Sequence, residues 1–199
     1  MEKHGKHSEV IVLPTWEELE QACNGCQACG LGATRTNCVI GVGNRAADIL
    51  FVGEGPGYHE DMQGVPFVGA AGQLLDKMLG AIGLDRQAVY IANIVKCRPP
   101  QNRDPQPEEM DACLRFLRYQ MLLVQPKIIV CLGRIAAQRI INPSFRITSQ
   151  HGLWVERKGV WITATFHPSA LLRDESKKRP AWEDLKAVQA KLEALTDLS

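Results

Sequence analysis

Three short apolar runs, each followed by a glycine-rich or polar loop and then a helical pattern, constrain the fold of this chain most strongly. They span residues 48–53, 89–95 and 127–133. Short apolar runs bounded by turn signals are typical of buried strands, and strands that alternate with helices form a mostly parallel sheet covered on both faces. We therefore predict an α/β fold: a three-layer α/β/α sandwich with a central, mostly parallel, four-stranded sheet.

The remaining segments fit this architecture. The spacing of apolar residues and the helix-start signals predict helices at 68–84, 107–124, 134–141 and 181–198. Two further strands, 154–157 and 160–166, join at Lys158–Gly159. Ligands of such folds bind beyond the carboxyl ends of the strands. Three unusual loops are expected to meet there, and they span 53–69, 96–107 and 167–173.

Length and charge limit the classes of protein that the chain can represent. It has 199 residues and a formal net charge of +1, so a nucleic-acid partner would have to meet a local basic surface. No secretory signal is visible and no apolar run approaches the roughly 20 residues that cross a bilayer, so we expect a cytoplasmic protein. We expect residues 1–12 to form a flexible tail and residues 13–199 a single domain.

The cysteines indicate a metal site. There are seven, and an odd number in a reducing compartment favours metal ligands over disulfides. Cys26 and Cys29 form a CxxC pair, while Cys97 and Cys113 lie far downstream. Four thiolates suit either zinc or an iron–sulfur cluster. Cys23 competes for the first ligand position, and spacing alone leaves Cys113 open as a ligand or as an ordinary buried thiol.

A glycine-rich loop, Gly53-Glu-Gly-Pro-Gly57, follows the first strand. It is a poor nucleotide-binding loop because Pro56 interrupts the glycine pattern and no GxxxxGK[ST] sequence is present. The glycines are expected instead to let a ligand approach the backbone closely. The carboxylates Glu60 and Asp61 follow, and they fit either a general base or, more commonly, a solvated surface pair.

Two further residues stand out beside the predicted strands and helices. Phe67 precedes a helix, and its ring suits either the core or stacking on a flat base. Asn93 interrupts an apolar strand, and a buried asparagine needs hydrogen-bond partners. Asn93 therefore either caps a neighbouring loop or reads the amide edge of a base.

At this level of detail the motifs resemble those of a known family. Segment 53–75 resembles the first motif of the family-4 uracil-DNA glycosylases, and 93–102 resembles their next block. The segment His167-Pro-Ser-Ala-Leu-Leu-Arg173 is similar to the second active-site motif of the wider superfamily. The resemblance implies an enzyme, expected to act as a monomer on single- or double-stranded DNA. It would hydrolyse the N-glycosidic bond of a flipped uracil and leave an abasic site for base excision repair.

The resemblance also implies a cofactor. In that family a [4Fe–4S] cluster is held by a CxxC pair and two later cysteines. The matching residues are Cys26, Cys29, Cys97 and Cys113. Cys23 is then additional, and Cys38 and Cys131 are expected to be ordinary buried thiols.

Family roles for the base pocket carry over by position. Backbone amides around Glu54 and Gly55 would bind a uracil carbonyl, and Phe67 would stack on the base. Asn93 would bind the edge that distinguishes uracil from cytosine. His167 would stabilise negative charge on the leaving uracil.

Other implied roles concern water and DNA. Glu60 would position or polarise the attacking water. Leu171, or its neighbours Leu172 and Arg173, would wedge into the DNA where the base left. Residues 177–179 would add phosphate contacts or form a solvated basic loop. The cluster would hold three basic residues near the DNA, namely Lys96, Arg98 and Arg103.

Other functions remain open at this point. One is an iron–sulfur or zinc module that binds nucleic acid without catalysis, and another is a glycosylase that accepts further deaminated bases. A third is a branch that stays covalently attached to DNA, which is disfavoured because loop 99–105 lacks the basic insertion with an extra histidine. The sequence does not identify protein partners such as a sliding clamp.

Overall fold

The chain forms a six-stranded sheet covered by helices on both faces, in a computed structural model that describes residues 13–197. The predicted tail over residues 1–12 lies outside the described residues. The strands are β1 (Val42–Gly43), β2 (Ile49–Gly53), β3 (Tyr90–Asn93), β4 (Ile128–Leu132), β5 (Val155–Arg157) and β6 (Val160–Thr165). Their order across the sheet is β1-β3-β2-β4-β6-β5.

The sheet is mostly parallel, as predicted, but it has six strands rather than four. β3, β2, β4 and β6 run parallel, while β1 and β5 pair antiparallel at the two edges. β1 has only two residues, too few to leave an apolar pattern in the sequence. β5 and β6 form a hairpin in which Lys158 and Gly159 both take positive φ, 53° and 81°, as a two-residue hairpin turn requires.

Helices cover both faces of the sheet and confirm the three layers. They are α1 (Trp16–Asn24), α2 (Leu31–Thr34), α3 (Tyr58–Gln63), α4 (Ala70–Ala81), α5 (Pro107–Val124), α6 (Arg134–Ile140), α7 (Ile147–Gln150), α8 (Pro168–Arg173) and α9 (Lys178–Thr196). Leu50 and Val52 point into a core with α1, α2, α5 and α6. Ile49 and Phe51 point into the other core, with α4, α8 and α9.

The strand register brings the predicted loops to one edge. Gly53 at the end of β2 pairs with Asn93 at the end of β3, and Leu132 of β4 pairs with Thr165 of β6. The segments that follow these strands therefore open at the same side of the sheet. Two of them contain short helices that the sequence did not reveal, α3 and α8. No helix within 13–197 combines the length and apolar character needed to cross a membrane.

The close approach of α4 to the preceding segment gives a test of the fold. A methyl group on Gly72 would overlap the Phe67 carbonyl, and backbone atoms there cannot rotate away. Gly72→Ala is therefore expected to lower the free energy of unfolding by about 2 kcal/mol or more. Gly80→Ala in the same helix has open space and should raise it by about 0.5–1 kcal/mol. Chemical denaturation measures both, and equal effects would contradict the close packing.

Candidate active site

A cavity of about 320 Å³ opens beyond the carboxyl ends of β2, β3 and β6. Seven predicted site residues line it, namely Glu54, Gly55, Glu60, Phe67, Asn93, His167 and Arg173. Asn102 and Arg103 from the loop after β3 also line it, so all three predicted loops meet at this cavity. Leu171 is the one predicted residue of this group that is absent from its walls.

Asn93 lies at the inner end of the cavity. It is 2% exposed, and its Oδ1 is buried without a hydrogen-bond partner among the described residues. Gly53 faces it, and a methyl group on Gly53 would collide with both Asn93 Oδ1 and the Phe67 ring. A buried polar atom without a partner costs about 1–3 kcal/mol. This atom therefore points to a ligand that donates a hydrogen bond.

Phe67 forms a wall of the cavity in a strained backbone conformation. Its φ is +56°, in a region that bulky side chains rarely adopt. The centroid of its ring lies 5.6 Å from that of His167, with 30° between the ring planes. Arg86 donates to the Pro66 carbonyl at 3.0 Å and also to the Phe67 carbonyl. This guanidinium fixes the strained segment from outside the cavity.

Glu60 fixes the same segment from the cavity side. Its Oε1 accepts the N–H groups of Val68 and Gly69, both at 2.9 Å. Its Oε2 accepts the N–H of Gly57 at 3.1 Å. The carboxylate therefore joins the start of α3 to the segment that carries Phe67.

Asp61 is also engaged with the backbone. It is 3% exposed, and its Oδ1 accepts the N–H groups of Thr36 at 2.9 Å and Asn37 at 3.2 Å. The expectation of a solvated surface pair at Glu60 and Asp61 is therefore wrong, because both carboxylates accept main-chain hydrogen bonds that hold loops together.

His167 presents a neutral imidazole at the start of α8. Burial lowers its pKa to about 4, the positive charge of Arg173 lowers it too, and Glu60 opposes the shift. The main-chain N–H of Ser169 donates to Nδ1 at 3.1 Å, and the Ser169 hydroxyl lies 2.8 Å from the same nitrogen. Because Nδ1 accepts a hydrogen bond, the ring proton sits on Nε2. His167 therefore offers one neutral N–H donor.

Glu54 separates this cavity from a second one of about 300 Å³, since it lines both. Asp104 and Arg134 form an ion pair of 2.6 Å and also line the second cavity. Burial raises the pKa of Glu54 to about 7, the negative charge of Asp104 adds to the rise, and Arg134 opposes it. Glu54 therefore changes its charge near neutral pH.

The structure corrects the predicted DNA wedge. Leu171 is 2% exposed and packs into the core beneath α8, so it cannot reach a DNA strand. Leu172 is 50% exposed, and Arg173 beside it is exposed at the cavity. Because α8 is helical, the turn that buries one leucine exposes the next.

The basic residues also differ from expectation. Lys96 is 1% exposed, so its predicted place beside DNA is wrong. Arg103 lines the cavity, and the Arg98 guanidinium lies 5.1 Å from the centroid of the exposed Tyr58 ring. In segment 177–179 both lysines form ion pairs with nearby carboxylates, at 3.0 and 2.5 Å.

The cysteines meet in a separate cavity, formed by the turn after α1, the loop after β3 and α5. The cysteines that line it are Cys23, Cys26, Cys29, Cys97 and Cys113. Cys131 is fully buried within β4, as expected for an ordinary thiol. Cys38 departs from expectation, because it is only half-buried and its thiol contacts Cys23 and Cys97. The next residue, Val39, pairs with the Lys96 carbonyl and so holds Cys38 beside the cavity.

Hydrogen-bond donors face the sulfur atoms in this cavity. Arg35 Nη1 donates to Cys97 Sγ at 3.0 Å, and the main-chain N–H of Lys96 donates to Cys113 Sγ at 3.2 Å. Such donors suit anionic sulfur, including the thiolates of iron–sulfur centres. Burial lowers the pKa of Lys96, and the sulfurs of the nearby cysteines counteract this. No three cysteine, histidine or carboxylate side chains within 13–197 are close enough to share one ion.

Sequence reasoning missed two residues that position the site. Ser169 orients His167, and its place two residues after the histidine, at the start of α8, was a usable signal. Arg86 gave no local signal, because its partners Pro66 and Phe67 lie 20 and 19 residues earlier in the chain.

The raised pKa of Glu54 predicts pH-dependent stability. Its folded value of about 7 lies above its ordinary 4.5, so its stabilising contribution is complete below 4.5 and is lost as the pH rises through 7. Glu54→Gln mimics the protonated form. From about pH 5 to about pH 8, the wild type should lose about 1–2 kcal/mol of unfolding free energy relative to this variant. Denaturation at both pH values measures this difference in unfolding free energy. Glu193→Gln, at an exposed position of α9, is the control. A difference between the wild type and Glu54→Gln that does not grow with pH would contradict the prediction.

Comparison of the sequence with known proteins identifies its family. Residues 40–186 match the family model for the Uracil DNA glycosylase superfamily. The chain is 46% identical over 184 residues to the type-4 uracil-DNA glycosylase of Archaeoglobus fulgidus, which covers 88% of this chain and 92% of that protein. It is 43% identical over 178 residues to the type-4 enzyme of Thermotoga maritima, covering 87% and 93% of the two chains. For the type-4 enzyme of Sulfurisphaera tokodaii the identity is 41% over 186 residues, covering 89% and 84%. The chain therefore belongs to the type-4 family of the uracil DNA glycosylase superfamily.

Proposed function

We propose that this protein excises uracil from DNA by hydrolysing the N-glycosidic bond, which leaves an abasic site and begins base excision repair. The observation that carries the proposal is the unpartnered Oδ1 of Asn93, buried in the cavity that Phe67 and His167 also line. The N3–H of uracil is a hydrogen-bond donor, whereas N3 of cytosine is an acceptor. Uracil therefore satisfies the Asn93 oxygen, and cytosine leaves two acceptors facing each other.

Phe67 supplies the face on which the base stacks after it leaves the helix. Its ring is fixed in advance, because Glu60 and Arg86 hold the backbone of its segment. The backbone around Glu54 and Gly55 borders the same cavity and would bind a uracil carbonyl. A pocket fixed before binding loses little conformational entropy when the base enters.

His167 stabilises the leaving group. The bond to the sugar breaks with an anionic uracil, and a neutral Nε2–H donor aimed at a carbonyl of that anion favours the transition state. Ser169 keeps the proton on Nε2 by donating to Nδ1. The buried ring stays neutral at physiological pH because its pKa is lowered to about 4.

Glu60 orients the attacking water and lies near the developing positive charge on the sugar. Its carboxylate accepts three backbone hydrogen bonds, so its position is fixed, and one of its lone-pair directions remains for water. The same rigidity means that loss of Glu60 would also disturb Phe67, so this residue has two roles that a single substitution does not separate.

DNA is gripped at the mouth of the cavity. Leu172, rather than Leu171, fills the space in the helix that the flipped base leaves, and Arg173 meets a neighbouring phosphate. Arg98 and Arg103 form a second basic rim. These few local cations suit a protein with a net charge of only +1.

We assign the activity to a single domain over 13–199 that acts as a cytoplasmic monomer.

Cys26, Cys29, Cys97 and Cys113 would hold a [4Fe–4S] cluster. The fit rests on the donors that face the sulfurs of Cys97 and Cys113, from the Arg35 guanidinium and the Lys96 main chain. Each thiolate of such a cluster binds its own iron, so the sulfurs need not converge on one point. When bound, the cluster would supply a structural cross-link between the turn after α1, the loop after β3 and α5, rather than redox chemistry.

A uracil-release assay tests the activity. A labelled oligonucleotide with one uracil is incubated with the purified protein, and abasic sites are cleaved with alkali. Asn93→Ala and His167→Ala are each expected to slow release by about 10²–10³-fold, since each removes a group that acts on the base in the transition state. Asn142→Ala, in an exposed turn, is the matched control and should not change the rate.

Three outcomes would separate the alternatives. Failure of the metal-loaded wild type to release uracil would overturn the proposal and favour a module that only binds nucleic acid. Equal release of other deaminated bases would broaden the substrate class. A protein–DNA band that resists alkali would indicate the covalent branch.

Metal content tests the cofactor. Cys113→Ser is expected to lose most of its iron and acid-labile sulfide, because a hydroxyl is a poor substitute for a thiolate ligand. Cys131→Ser, buried within β4, should keep the wild-type content. Iron and sulfide are measured on purified protein. A wild type that carries zinc and no sulfide would contradict the cluster.

A further inference from the structure

Lys96 is a buried lysine that the proposed chemistry does not use. It is 1% exposed, and lysine is almost never buried unless it is paired. Its Nζ donates to the main-chain carbonyl of Asn93 at 2.8 Å and to Gln120 Oε1 at 2.6 Å. Both of these partners are neutral. The side chain thus bends back from the loop after β3 toward the last residue of that strand, which faces the base.

The main chain of the same residue reaches the cysteines. Its N–H donates to Cys113 Sγ at 3.2 Å, and Cys97 is the next residue along the chain. Its carbonyl accepts the Val39 N–H at 2.8 Å. Lys96 therefore contacts both the cysteine cavity and Asn93 directly, with no intervening residue.

Both anchors of Lys96 on α5 lie on one face of that helix. Cys113 and Gln120 are seven residues apart, which is two helical turns. Gln120 is held in turn, because its Nε2 donates to the Ile40 carbonyl at 2.8 Å and to the Tyr90 hydroxyl at 3.2 Å. The lysine is thus connected to an element that the cysteine site itself would position.

Stability alone does not account for a lysine side chain at this place. A methionine of similar length would fill the space without the cost of burying an amine, and apolar replacements of buried polar groups are often neutral or stabilising. What methionine cannot do is hold the Asn93 carbonyl. The orientation of that carbonyl sets the peptide plane beside Asn93, and with it the direction of the side chain whose Oδ1 enters the base cavity.

We propose that Lys96 is a positioning residue that couples the cysteine site to base recognition, by holding the Asn93 main chain against the α5 face that carries Cys113 and Gln120. The inference rests on the proposed uracil excision and names a new participant in it. It assigns to the cysteine site an effect on the base pocket rather than only on the DNA-binding surface.

The test compares Lys96→Met with Lys77→Met, an exposed lysine of α4, as control. Each metal-loaded protein is assayed for uracil release and for inhibition by free uracil, which reports on the base pocket without DNA contacts. Lys96→Met is expected to weaken both turnover and free-uracil affinity by about tenfold or more, since small displacements of a positioned group have large effects. Its affinity for DNA without uracil should stay within about twofold, because Lys96 lies beneath the surface.

Gln120→Met guards against a Lys96 variant that fails to fold or to retain metal. It keeps every cysteine and Asn93 but removes one acceptor of the lysine, and free-uracil affinity should fall by about threefold or more. Wild-type affinity for free uracil in a folded, loaded Lys96→Met protein, or in Gln120→Met if the first does not fold, would overturn the inference. A wild type without uracil release refutes the proposed function instead, so the two failures are distinguishable.

Discussion

The pairing of Gly53 with Asn93, where β2 and β3 end side by side, is the constraint on which the site depends. Two further backbone bonds continue it beyond the strands, from Ile94 N–H to the Gly53 carbonyl at 2.9 Å and from Val95 N–H to the Glu54 carbonyl at 3.1 Å. They bring the glycine-rich loop beside Asn93, the residue proposed to read the base. Gly53 leaves the space that the Asn93 amide and the Phe67 ring share.

Around this pairing, charged side chains act mainly as clamps on the backbone. Glu60 and Arg86 hold the segment of Phe67 from two sides, and Asp61 holds the chain before β1. A residue at positive φ costs of order 1–3 kcal/mol and persists only when its surroundings determine it, which these clamps do for Phe67. Many of the charged side chains near the cavity therefore keep its backbone rigid. A rigid pocket is needed to discriminate between similar bases.

The sequence was sufficient to predict the parallel sheet and the loops at its carboxyl edge, because the spacing of apolar residues and the glycines at strand ends are local signals. The surface position favoured for Glu60 and Asp61 was wrong because most of the N–H groups that they accept are distant in sequence. Two lie eight and nine residues after Glu60, and those bound by Asp61 lie before β1. Leu171 and Leu172 could not be separated until the helical turn of α8 showed which side faces the core. Lys96 was placed outside for the same reason, since its partners Asn93 and Gln120 lie on different elements. The short helices α3 and α8, which carry these carboxylates and leucines, were not predicted, so the directions of their side chains could not be predicted either.

The charge states of the titratable groups around the cavity follow from how deeply each group is buried. They suit a neutral substrate that becomes an anion. Burial lowers the pKa of His167 to about 4 and raises that of Glu54 to about 7, so near neutral pH the imidazole is neutral and the carboxyl is partly protonated. A charged imidazolium in place of the neutral His167 ring would stabilise free uracil anion after the reaction as well as during it, and would slow product release. A neutral donor gains most while the charge develops and releases the base once it is protonated. The buried side chain of Lys96 lies behind Asn93 and reaches only its main chain, so it can orient the residue proposed to read the base without entering the pocket.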